Sequence, residues 1–299
     1  MKLAAMDSCL LISMLVVFSC IQLSTDFSSG STQLLTRNFL LYGVSLTCCA
    51  AFLGAYFQLA GLVGENGLIP LSKTLTTLQA YIHGKERNAY WFHPDAPMTF
   101  MLRLVYEKFS ITGRPERQIS TLALIDVIIS LISAIYPHPV LFAYMYISYY
   151  SIKRVGGRFF NFQWDALLLE TLFISVLLSM AYDTQTTAMC MWAMKALLFR
   201  LMFGSGVVKL FSRDESWNVS FTAMTFHFLT QPLPSKFGMY VHNNPPKAFF
   251  RLLTQGSLVA EFVFPLLSLL NLGWLNYLTA INYVLLQASI AATGYYGEF

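Results

Sequence analysis

Between residues 38 and 63 the chain carries no Asp, Glu, Lys, Arg or His, and nearly every position is Leu, Ala, Phe, Tyr, Val, Cys or Gly. A helix of that length and character needs a hydrocarbon solvent, because a span takes about 20 mostly apolar residues and every backbone N–H and C=O must be satisfied within it. The run ends at the turn-forming Gly64-Glu65-Asn66-Gly67. Further apolar runs follow at residues 119–136, 140–152, 166–182, 188–211, 249–272 and 275–292. The chain is 56% hydrophobic and 11% charged, whereas a soluble domain carries about a quarter charged residues. The expected fold is all-α, a polytopic transmembrane helical bundle of about seven or eight spans.

The runs come in hairpins. Pro137-His138-Pro139 separates the second from the third, because proline lacks the N–H that a continuing helix needs. Residues 183–187 form the next turn. Residues 1–36 read as an N-terminal apolar segment with a polar linker; the run 9–23 suits a signal anchor or a first span equally. Residues 37–299 read as the multi-spanning membrane domain. Within it, residues 70–118 hold seven Lys/Arg and four acids and are expected outside the lipid, partly as interfacial helix. Lys153, Arg154 and Arg158 around Gly156-Gly157 make the best cytosolic loop under the positive-inside rule. Counting from there places 212–247 on the same side, whereas the sequon Asn218-Val219-Ser220 is usable for glycosylation only on the luminal side. The two cues disagree.

The net charge of +4 is dispersed along the chain, with no basic block to follow a phosphate backbone, so nucleic acid is not a partner. The five cysteines lie in or beside apolar runs, and no CxxC, HExxH or spaced His/Cys set supports a metal. A GxSxG elbow is missing too, so the chain does not read as a serine hydrolase. No cofactor and no catalytic residue is assigned.

Most informative are the charges inside the runs: Asp126, Glu170, Lys195, Arg200, Lys209 and Glu261, with Asp165 at an edge. Each costs about 2.5–3.5 kcal/mol at a helix centre and therefore needs a partner or a wet cavity. Lys195 and Lys209, near the ends of their run, can snorkel. Arg200 cannot. Counting outward from the turn at 183–187 puts Glu170 and Arg200 on one level of an antiparallel hairpin, and Asp165 and Lys209 within about 6 Å of a common level at about 1.5 Å per residue. Two pairs are expected, Glu170 with Arg200 and Asp165 with Lys209. Their plain role is to fix helix register; the alternative is a polar cavity in which Lys209 acts as a base. Gly204-Ser205-Gly206-Val207-Val208-Lys209 lacks the spacing of a phosphate loop and reads as close helix packing through small residues.

Asn161-Phe162-Gln163-Trp164-Asp165-Ala166-Leu167-Leu168-Leu169-Glu170 resembles a signature of the lipase maturation factor family. The resemblance continues through residues 199–210 with Arg200, Gly204, Gly206 and Lys209, then Trp217, Thr225-Phe226-His227 and Thr230-Gln231-Pro232-Leu233-Pro234. It closes with Glu261, Pro265 and Thr293-Gly294. Several motifs in one order, from about residue 35 onward, carry it. Departures stand at Leu172, Leu229 and Gly297.

The resemblance implies a multi-pass membrane protein of the endoplasmic reticulum, in contact with lipid. Its clients would be secreted lipases of the lipoprotein lipase kind in the lumen, which it assists in folding, assembly and maturation without being an enzyme. It also implies that this chain is the N-terminal membrane region, cut off before the family's C-terminal region. Gly206-Val207-Val208-Lys209-Leu210 with Trp217 is more distantly similar to vitamin K-dependent gamma-carboxylase, which would make Lys209 a proton-abstracting base. A transporter is the third alternative, resting on the charged spans alone.

Overall fold

The computed structural model describes residues 30–64, 66–70, 115–230, 235–243, 246–270 and 272–293. The apolar run 9–23, most of the basic segment 70–118, and Gln231 and Pro232 lie outside the described residues. Every regular element among the described residues is helical. Four stretches are long and apolar enough to cross a membrane, Gln33–Val63, Gln163–Met180, Thr184–Phe211 and Ala248–Ser268, and Ser120–Ile135 is a shorter apolar helix. The chain is a helical membrane protein. It divides into two compact units, residues 44–180 and residues 1–43 with 181–298.

Helix α1, Gly30–Val63, contributes to both units. It starts ahead of the apolar run, at Gly30 rather than Asn38. At its end the chain folds back, with Leu68 N–H on Gly61 O at 3.3 Å and Ile69 N–H on Leu62 O at 2.9 Å. These bonds satisfy carbonyls that the helix terminus leaves open. Gly67 is required there, because a Cβ would stand 2.9 Å from Gly64 N and Leu62 C.

The unit of residues 44–180 adds α2 (Pro115–Ile135), α3 (Pro139–Gly156) and α4 (Gln163–Met180). The Pro-His-Pro turn joins α2 to α3 as expected. Pro139 takes a first-turn position, where no donor is lost, and His138 caps the helix by accepting Val140 N–H at Nδ1. α3 stops at Gly157, whose φ of +53° favours glycine. Lys153 and Arg154 lie in its last turn, where cations complement the exposed carbonyls.

After a 3₁₀ turn, Gly157–Phe160, α4 opens on a motif whose acid has a structural task. Asp165 Oδ2 accepts the N–H of Phe162 at 2.8 Å, reaching back over the first turn, and Oδ1 accepts the Tyr149 hydroxyl of α3 at 2.7 Å. Tyr149 in turn meets Phe52 edge-to-face at 5.8 Å. Asp165 thus starts one helix and ties it to the next.

The unit of residues 1–43 and 181–298 is built on α5 (Thr184–Phe211), capped by Asp183, which accepts Thr186 N–H at 2.7 Å. At 1.5 Å per residue its 28 residues span about 42 Å, beyond the hydrocarbon thickness of about 30 Å. The helix is therefore longer than the hydrocarbon layer is thick. Short helices α6 (Glu215–Asn218), α7 (Ala223–His227) and α8 (Lys236–Asn243) lead to α9 (Lys247–Leu258). A π turn, Val259–Val263, then α10 (Phe264–Ser268) and α11 (Gly273–Thr293), complete the unit. Met194, Leu198, Met202, Ala260, Leu275 and Tyr283 are buried in it, while Met189, Val208 and Leu266 are exposed and suit a lipid surround.

Candidate functional site: an ion pair at a widened helical turn

Pro265 has no N–H, and its ring crowds the carbonyl four residues earlier, which belongs to Glu261. The helix responds by widening. Over Val259–Val263 it is a π turn, and Phe264 N–H returns to Val259 O, five residues back. Asn282 of α11 supplies a donor to the loosened ladder, its Nδ2 bonding Ala260 O at 3.2 Å. α5 lies directly against this turn. A Cβ on Gly206 would stand 2.9 Å from Glu261 C, Glu261 O and Phe262 N, so only glycine permits the approach. Phe203, one turn earlier in α5, stacks on Phe262 with ring centroids 5.1 Å apart and continues onto Phe199.

The close approach brings charges together. Lys209 Nζ donates to both carboxylate oxygens of Glu261. Ser205, one turn before Lys209 on the same face, donates to Glu261 Oε2 at 3.0 Å. The Lys209 ammonium lies 5.0 Å from the centroid of the Trp217 ring, within cation–π range. Glu261 is 7% exposed and Lys209 23%, so the pair sits at the edge of the packed interior.

Trp217 is placed by its short helix. Asp214 caps α6 by accepting Ser216 N–H at 2.9 Å, and the Asn218 amide donates to Leu210 O at 3.1 Å and Ser212 O at 3.3 Å, closing the end of α5. A glycan on Asn218 would replace one of the hydrogens that makes these bonds. We therefore expect Asn218 to remain unmodified: endoglycosidase should leave the electrophoretic mobility of the expressed protein unchanged. A shift that disappears in Asn218→Gln would contradict this.

His227 completes the surroundings. Burial first, and then the Lys209 ammonium, hold its imidazole below the usual histidine range, against an opposing pull from Glu261. Its unfolded value is about 6.5. Because the folded value is lower, the unfolded chain binds the extra proton first as pH falls, so stability drops as acidification passes below about 6.5. His227→Gln should flatten that part of a melting-temperature profile between about pH 7 and pH 5. An unchanged profile would show that His227 is not responsible.

Of the other motif residues, Thr230 closes the α7 turn, its hydroxyl donating to Phe226 O at 3.2 Å and His227 O at 3.3 Å. Trp164 stacks on Phe162 at 4.7 Å in the unit of residues 44–180. Gly204 has open space where its Cβ would be, so the close packing rests on Gly206. The carboxylate that meets Lys209 is Glu261, not the expected Asp165, both of whose oxygens accept hydrogen bonds inside the other unit. Counting along one hairpin could not reach an acid 52 residues away.

Lys195 also differs from expectation. Rather than snorkelling it is 2% exposed, with Nζ 3.4 Å from Asn276 Oδ1 and 4.9 Å from the centroid of the Trp192 ring. Ser205 and Asn282 were not anticipated as contributors. Ser205 was findable, standing four residues before Lys209 on the same helix face; Asn282 carried no local signal.

The comparison with known proteins adds the decisive observation. Residues 35–299 match the family model described as lipase maturation factor transmembrane domain. The chain belongs to the lipase maturation factor family. It is 31% identical over 277 residues to lipase maturation factor 2 of Gallus gallus, covering 88% of this chain and 36% of that protein. Against lipase maturation factor 2 of Homo sapiens it is 31% identical over 284 residues, 89% of this chain and 38% of the relative. With lipase maturation factor 1 of Mus musculus the identity is 30% over 220 residues, 71% of this chain and 36% of the relative. The chain spans somewhat over a third of the length of these relatives. No solved structure matches it. The family match takes in the whole Lys209–Glu261 site, from Phe199 to Asn282.

Proposed function

We propose that this chain is the membrane region of an endoplasmic reticulum factor that assists the folding, assembly and maturation of secreted lipases, with lipases of the lipoprotein lipase kind as clients. The family match over residues 35–299 carries this reading. The Lys209–Glu261 site would hold the membrane scaffold in shape rather than perform chemistry. A lysine whose Nζ donates to both oxygens of a carboxylate, with a serine on that carboxylate as well, is engaged as a hydrogen-bond donor. A proton-abstracting base would need a free lone pair. That favours the assistant over the carboxylase-like enzyme.

The test is restoration of secreted lipase activity in factor-deficient cells by a full-length protein carrying this membrane region. We expect restoration, and failure at normal expression and location would overturn the proposal. Glu170 of α4 and Arg200 of α5 belong to the same reading on register alone. Exchange of the two charges, Glu170→Arg with Arg200→Glu, should recover expression lost in either single variant. An exchange no better than the singles would remove the pair.

A further inference from the structure

One charge named in the sequence has no place in the site described above. Asp126, on α2, is fully buried at 0% exposure in the unit of residues 44–180. Its Oδ2 accepts the Ser148 hydroxyl of α3 at 2.6 Å. Its Oδ1 has no hydrogen-bond partner. Among the described residues no lysine, arginine or histidine pairs with it; the titratable groups that face it are Tyr144 of α3, a second hydroxyl donor to the carboxylate, and Cys48 of α1. Neither is a cation.

The surroundings are polar but not charged. Ser130 and Ser133 follow Asp126 at four and seven residues, on the same helix face, and both are fully buried. Ser133 accepts the Ser45 hydroxyl at 3.2 Å, while Ser130 donates to Val127 O and Ser151 to Ile147 O, each at 2.7 Å. A carboxylate at this depth is expensive unless it is partnered, and among the described residues no cation offsets it. A metal cation at Oδ1 would need several oxygens converging there, whereas the described residues offer the carboxylate only the hydroxyls of Ser148 and Tyr144. A proton needs only one.

We propose that Asp126 is an exchangeable proton-binding site inside the membrane domain, with the proton on Oδ1 and the Ser148 hydroxyl holding Oδ2. Loss of the proton leaves a negative charge between α2 and α3 that the Ser148 and Tyr144 hydroxyls support and that no cation among the described residues offsets. The site therefore makes the packing of this helix pair responsive to proton occupancy. The ligand class is the proton itself, and the inference is independent of the lipase reading.

The test uses dicyclohexylcarbodiimide on the protein in lipid vesicles. This apolar reagent partitions into the bilayer and adds to a protonated carboxyl. The acid proton moves to a carbodiimide nitrogen, the carboxyl oxygen bonds its central carbon, and rearrangement leaves a stable N-acylurea. We expect the peptide containing Asp126 to gain the mass of one whole carbodiimide. The rate should fall about tenfold per pH unit above the titration midpoint, and sodium at constant pH should give no protection. Asp126→Asn should abolish the adduct. Ser148→Ala, which keeps the acid and removes one of the hydroxyls that donate to it, should carry labelling to higher pH, so the proposal stays testable if the asparagine variant does not fold. Absence of the adduct, labelling independent of pH, or protection by sodium would each overturn it, the last in favour of a sodium site.

Discussion

Lys209→Met is expected to destabilise the membrane domain by about 3–5 kcal/mol, the cost of leaving a buried carboxylate without its cation. Glu261 is 7% exposed and would keep only the Ser205 hydroxyl. Removing the acid as well should reverse most of the loss, because Lys209→Met with Glu261→Gln leaves no net charge in the turn. Melting of the full protein in detergent or nanodiscs gives the single and double values, and their difference from additivity is the coupling of the pair. If the double variant regains stability and also restores lipase activity in factor-deficient cells, the pair acts through structure. Regained stability without lipase restoration would assign the charges a direct role. A single variant as stable as the parent would mean that the ion pair contributes little.

Gly206→Ala carries the second large effect, for a steric reason. The added methyl would stand 2.9 Å from three backbone atoms of the π turn, at Glu261 and Phe262. Backbone cannot swing aside as the end of a side chain can, so α5 must move away, at a cost of about 1–3 kcal/mol or more. The displacement also pulls Lys209 from Glu261, since both contacts lie on neighbouring turns of α5. Gly204→Ala is the matched control: nothing lies within 4 Å of that position, and alanine is the better helix former by about 0.8–1.0 kcal/mol. Opposite responses, loss at 206 and neutrality or gain at 204, are the expected pattern on thermal melting. Equal losses would show that the Gly206 contact does not determine how closely α5 approaches.

Much of the local architecture was legible. Pro137-His138-Pro139 divides α2 from α3 because proline cannot continue a hydrogen-bonded helix, whereas the turn expected at 183–187 is shorter, since Thr184 already starts α5 and Asp183 caps it. The family motifs named Gly206, Lys209, Trp217, His227 and Glu261, which meet in one unit. Pro265 belonged to the same motifs, but the widened turn before it appears only in the structure. The pairing within the site was not legible. Register relates two helices joined by a short turn, whereas Lys209 and Glu261 lie 52 residues apart, with α6 to α9 between them. Lys195 shows the same limit: its position near a helix end suggested a route to water, and α11 closes that route by bringing up Asn276.

The sequence by itself determined the solvent, the helical class, the places where helices stop and the family, because these depend on composition, on backbone donors and acceptors, and on residues in order along the chain. Only the tertiary structure decided which acid neutralises which base. Coulomb attraction and hydrogen bonding act over a few ångströms in space, so the choice among Asp165, Glu170 and Glu261 follows from which helices pack together. At Lys209 that packing rests on a glycine in α5 and a widened turn before Pro265, two local features whose joint effect appears only once the helices are side by side.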